Sequence, residues 1–246
     1  MSNLIQTIAR IYTKTIHLYA NSFFNALPFI LVLIGCEFLI NKIVPLPPET
    51  EINVAYFVHI VAYTGLTAFF VSFMLILIDH KFNQQELAYS EVIRRGFKRC
   101  LPIILSDFII VLPFFCLILL AQVDITQFLR NARPDFIFTL SMISLFVIPL
   151  AVACVFPIMF CVTGVLIANC GASAIEGLTQ SWRLVLQRRL ETIFVMLIFG
   201  GISIALAWLL HKLQLPLVSE FETLLLSSFY PSLMVVQHDY LTSNNA

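Results

Sequence analysis

The sequence predicts an all-α polytopic membrane protein with six transmembrane helices, and three observations lead there. Of 246 residues, 60% are apolar and 11% carry charge, too few polar groups to cover a water-soluble surface. The apolar residues fall in six long runs, each of a length suited to a bilayer crossing. Lys and Arg gather in alternate connections between those runs, as expected when short loops with basic residues resist translocation. Basic and acidic residues balance at 14 each, so net charge gives no footing for nucleic acid. Six crossings of ~20 residues each leave no stretch for a separate soluble catalytic domain, and residues 1-246 are read as one membrane domain.

The first run, Phe23 to Val44, has about 22 residues and would rise ~33 Å as a helix, the thickness of the hydrocarbon layer. Helices are expected throughout, because unpaired backbone cannot face lipid. The second run is Val54 to Ile78, and the third extends from Phe108 to roughly Phe128. The fourth, Phe136 to Ala168, is too long for one straight crossing and contains Pro149 and Pro157. Each proline removes a backbone donor and clashes with the preceding turn, so a kink is predicted. The fifth, Ile193 to Leu210, holds Gly200-Gly201, which suits close helix contact or flexing. The sixth, Leu217 to Tyr240, is more polar but long enough.

With both termini in the cytoplasm, Arg10, Lys14, Lys81, Arg94, Arg95, Lys98, Arg99, Arg183, Arg188 and Arg189 lie inside, and Lys42, Arg130, Arg133 and Lys212 lie outside. That ten-to-four division predicts this orientation over its opposite. Pro45-Leu46-Pro47-Pro48, followed by Glu49 and Glu51, is then a stiff acidic outer connection. None of the six cysteines falls in an outer loop, so no disulfide framework is expected. Leu33-Ile34-Gly35-Cys36 has the form of a lipoprotein cleavage site, but the chain stays apolar through Phe38-Leu39-Ile40, and an uncleaved signal anchor is expected instead.

Shifting the chain by 85 residues aligns Ile8, Ile93 and Leu178, then Tyr12, Phe97 and Trp182, then Ile16, Leu101 and Leu186. Spacing of four puts each set on one helix face, with basic residues between. The pattern predicts amphipathic interfacial helices before crossings 1, 3 and 5, and a threefold repeat over 1-80, 86-165 and 171-246. Coincident amphipathic turns ahead of ordinary crossings would give the same register. Ser22, Asp107 and Thr192 also align, just before the apolar runs, where each type suits a helix N-cap. Pro28 and Pro113 align, as do Glu37 and Gln122, whereas the third copy has Ile198 and Ala207 at those places.

Between Val147 and Leu210 the chain carries Ile148-Pro149, Phe156-Pro157-Ile158-Met159 and Gly171-Ala172-Ser173-Ala174-Ile175-Glu176-Gly177-Leu178-Thr179-Gln180-Ser181-Trp182-Arg183-Leu184. This region resembles the YciC-like bacterial inner-membrane proteins, which are similar in turn to the membrane domain of some glycerophosphodiester phosphodiesterases. The match is best over about 65 residues and follows the rest through helix count and spacing. Leu150 stands where that family often has Gly. The resemblance implies a six-helix protein of the bacterial inner membrane. It does not bring phosphodiesterase activity, which belongs to a soluble domain of those relatives.

Ionisable groups at membrane depth are costly and therefore candidates for function. Glu37 suits a cation or a polar headgroup, or else snorkels outward or pairs with Lys42. His59 either titrates near neutral pH or is a buried, hydrogen-bonded histidine. Ser219-x-x-Glu222, with Glu220 between, reads as a capping box on the last helix. His238-Asp239 lacks a third partner for catalysis. No metal-binding pair, phosphate-cradling glycine loop or nucleophile turn occurs, so neither a catalytic residue, a metal nor a cofactor is expected. Arg94, Arg95, Lys98, Arg99, Arg183, Arg188 and Arg189 are the candidate contacts to anionic lipid headgroups; topology selection explains the same charges. The expected function is non-enzymatic organisation or sensing of membrane lipid through the basic helices. The alternative is transport of a small solute or lipid along a groove beside the kinked fourth helix.

Overall fold

The computed structural model describes residues 2–44, 54–121, 136–212 and 218–243, and the side chains of 3–44, 56–117, 147–212 and 220–243. The expected outer-loop residues 45–51, Gln122, Arg130 and Arg133 lie outside the described residues. The elements are α1 (Ser2–Ile43), α2 (Val54–Phe82), α3 (Tyr89–Ala121), α4 (Phe136–Met159), α5 (Thr163–Cys170), α6 (Ala174–Gln187), α7 (Arg189–Lys212) and α8 (Val218–Ser243); among the described residues no strand occurs. Five stretches among those residues are long and apolar enough to cross a membrane: one each in α1, α2, α3 and α7, and Val147–Cys170, shared by α4 and α5.

The packing is that of a bundle with an apolar outside. Phe24, Ile43 and Ile204 are each more than 70% exposed, an exterior that water disfavours and lipid accommodates. α2 is apolar over most of its length, and its second half is enclosed on all sides. Its residues from Phe73 to Ile78 are all buried, and α1, α3, α5 and α8 pack against it. Several polar side chains of α8 face protein. Ser228, Ser232 and Gln237 are fully buried, and Gln237 Nε2 donates to Thr192 Oγ1 at 3.0 Å.

The fourth apolar stretch is interrupted beyond Pro157, and not in the turn before a proline where the ring would disrupt the helix. α4 ends at Met159, two residues beyond Pro157, and the helix resumes at Thr163. A helix end leaves carbonyls without partners, and Ser181 Oγ donates to Met159 O at 3.0 Å. α5 then ends on Gly171, whose φ of 76° closes a left-handed C-cap.

A separate helix, α6, stands ahead of α7 alone. α1 is continuous over 42 residues, a rise of ~63 Å, and α3 likewise continues from its basic segment into its apolar one. Nothing at those two junctions breaks a helix: Ser22 is buried and bonds back to Leu18 O at 2.7 Å, and Asp107 lies mid-helix. Neither is an N-cap, and Thr192 sits inside α7 rather than before it. The break at Arg188 is held by its side chain, which lies 5.6 Å over the Tyr240 ring and donates to Tyr240 Oη at 3.3 Å. Ser219 is the second residue of α8, and its side chain lies outside the described residues.

α6 begins on a complete capping box: Ser173 Oγ accepts from Glu176 N, and Ser173 N donates to Glu176 Oε2 at 2.9 Å. The Ser173 backbone N–H, with its hydroxyl, holds the Glu176 carboxyl below the usual carboxylate range. Ser173→Ala should cost about 1 kcal/mol, read as a lower unfolding temperature of the detergent-solubilised protein; an unchanged transition would show that the cap adds nothing.

Candidate functional site

Two cavities meet in the middle of the bundle, each about 340 Å³. The first lies between α1, α2 and α8 and holds Glu37 and Glu222. The second lies between α2, α3, α8 and the break from α4 to α5, and holds Asp107. Tyr63, Thr67, Val71 and Tyr230 line both and form the partition between them. The four-residue spacing of Tyr63 and Thr67, and of Thr223 and Ser227, puts each pair on one helix face.

Glu37 is buried, and Thr223 Oγ1 donates to its Oε2 at 3.1 Å. It does not pair with Lys42, whose Nζ lies 4.8 Å over the Phe38 ring. His59 is also buried, with Nδ1 2.6 Å from Val44 O. The carbonyl can only accept, so Nδ1 carries the proton, and the residue closes the end of α1. Its ring stacks on Tyr63 at 6.4 Å. Asp107 has no hydrogen-bond or ion-pair partner among the described residues, and it lies eight residues past Arg99, about 12 Å along the helix. Thr67 Oγ1 and Ser227 Oγ are buried without partners among the described residues.

The sequence singled out Glu37 and His59 but read Asp107 as a cap, and it missed Tyr63, Thr67, Thr223 and Tyr230. The four-residue recurrence of hydroxyl groups inside apolar runs was the available signal. Among the described residues no cluster of three metal-ligating side chains occurs.

Most of the described basic residues collect at one end of the bundle, while Lys42 and Lys212 close the far ends of α1 and α7. Lys14 pairs with Asp239 at 3.5 Å, Arg95 meets His80 at 3.2 Å, and Arg99 Nη1 donates to Gly171 O at 3.2 Å. These contacts join the start of α1, the end of α2, the start of α3, the α5–α6 turn and the end of α8. Of the seven candidate headgroup contacts, Arg94 and Arg95 both pair with Glu91, at 2.7 and 2.8 Å. Arg99 is committed to the α5 cap, and Arg188 to Tyr240 and Glu191. Lys98, Arg183 and Arg189 are exposed and have no ion-pair partner among the described residues.

Arg183 stands beside an apolar groove of about 310 Å³ lined by Phe160, Ile175, Leu178, Thr179 and Trp182. The Phe160 and Trp182 rings approach to 5.8 Å. The four-residue apolar stripes point outward over much of their length: Ile16, Ile93, Phe97, Leu101, Trp182 and Leu186 are all exposed. The helix contact suited to Gly200-Gly201 is not made among the described residues, where a Cβ at either position would meet nothing.

The chain matches no protein-family model, no curated protein and no solved structure in comparisons with each.

Proposed function

We propose that this is a non-enzymatic multi-pass protein of the bacterial inner membrane, similar to the YciC-like proteins, that binds anionic lipid at its basic end. In this reading the chain crosses six times, with α8 as the sixth span and both termini in the cytoplasm, and the 85-residue register reflects three related hairpins. The observation that carries the lipid reading is Arg183 beside the groove of Phe160, Ile175, Leu178 and Trp182. A cation at the mouth of an apolar slot matches a phosphate head and an acyl chain, and exposed Lys98 and Arg189 strengthen the same field. The outward stripes give acyl chains apolar surface at the same end.

Each basic residue near an anionic surface contributes about 1 kcal/mol, so charge reversal, a change of two charges, is expected to cost about 2 kcal/mol, roughly 30-fold in affinity. Arg183→Glu should therefore retain far less phosphatidylglycerol than the unaltered protein when co-purified lipid is counted by native mass spectrometry. Arg94→Glu should lose less, since Arg94 is already paired with Glu91. Equal retention by all three proteins would remove the lipid reading. A second reading, as a carrier, draws on the cavity beside the α4–α5 break, where a polar partition crosses the bundle.

A further inference from the structure

The Asp107 cavity has a chemistry opposite to that of the basic end. Its described lining contains one carboxylate and no Lys, Arg or His. The remaining wall is mainly aliphatic and aromatic, with Tyr63, Phe114, Phe160 and Tyr230 among its rings and Thr64, Thr67 and Cys161 as its other polar groups. Among the described residues Asp107 meets no donor, and Thr67 Oγ1 is buried without a partner in the same wall. An unpaired carboxylate at this depth is expensive unless something inside the cavity meets it. A metal ion would require several oxygen, nitrogen or sulfur ligands of defined geometry, and no metal-ligating cluster exists among the described residues. An organic cation needs one counter-charge and ring faces, and both are present.

We propose that this cavity binds an amphipathic organic monocation, an amine or quaternary ammonium on a small apolar body, with the Asp107 carboxylate as its counter-ion. The volume of about 340 Å³ falls in the lower range of small-molecule sites, which favours a single-ring body over a long-chain lipid. The site shares Phe160 with the Arg183 groove but neither its charge nor its other lining residues, and Asp107→Asn and Arg183→Glu test the two separately, so the lipid reading and this one fail separately.

The test uses the full chain in detergent, with benzyltrimethylammonium as probe and neopentylbenzene as its uncharged isostere, and binding followed by calorimetry or equilibrium dialysis. The unaltered protein should bind the cation saturably and at least tenfold more tightly than the isostere. Asp107→Asn should weaken the cation at least tenfold and leave the isostere unchanged, whereas Asp107→Glu should retain the preference. Val111→Trp, which fills the cavity, should abolish binding of both. Equal affinity for cation and isostere, no saturable cation binding, or a preference that survives Asp107→Asn or Val111→Trp would overturn the proposal. The isostere comparison needs no substitution, so it decides the matter even where a variant does not fold.

Discussion

Gly96→Ala should unfold at a markedly lower temperature than the unaltered protein. A Cβ at position 96 would fall 3.0 Å from Phe73 Cγ and closer still to Cδ1 and Cε1. Phe73 cannot easily give way. It is 3% exposed and held by Phe29 stacked at 5.6 Å, Phe69 at 4.8 Å and Phe97 at 5.6 Å. Overpacking of this kind costs about 1–3 kcal/mol, roughly 3–10 °C for a chain of this size. Gly35→Ala is the control, because a Cβ there meets nothing. Thermal unfolding in detergent by circular dichroism compares the two, and equal transitions would mean that α2 and α3 do not approach as closely as described.

Gly171→Ala should be damaging for two separable reasons. The residue sits at φ 76°, where a side chain costs about 1–2 kcal/mol, and its Cβ would come within 2.7 Å of Arg99 Nη2. In an Arg99→Ala background the steric part disappears and the backbone part remains, so the loss should shrink without vanishing. Full additivity of the two substitutions would show that Arg99 does not rest on the α5 cap. That result would return Arg99 to the pool of charges free for headgroups.

Much of the architecture was legible because membrane helices are governed by local rules. Apolar length reported the five membrane-suited stretches among the described residues, whereas the capping box of Ser173 and Glu176 that starts α6 was present in the sequence and went unread. The junctions in α1 and α3 were misread because a lone Ser22 or Asp107 is compatible with either a cap or a helix interior, and only the neighbouring backbone decides. The 85-residue alignment read positions 22, 107 and 192 as helix caps; instead Ser22 and Thr192 are buried inside helices, and Asp107 lines a cavity.

The charged residues divide in the same way. Their accumulation at one end followed from the connections that hold them, whereas their availability did not. Arg99 and Arg183 look alike in sequence, yet one caps Gly171 O and the other borders an open groove.

What the sequence by itself determined is the helical, lipid-suited character of the chain, because a backbone in hydrocarbon must bond within its own segment and an apolar run of fixed length answers that demand locally. The tertiary structure alone decided which polar groups meet. Glu37 and Thr223 are separated by 186 positions, and their pairing, like the isolation of Asp107, depends on how distant helices pack, which no local pattern of side chains encodes.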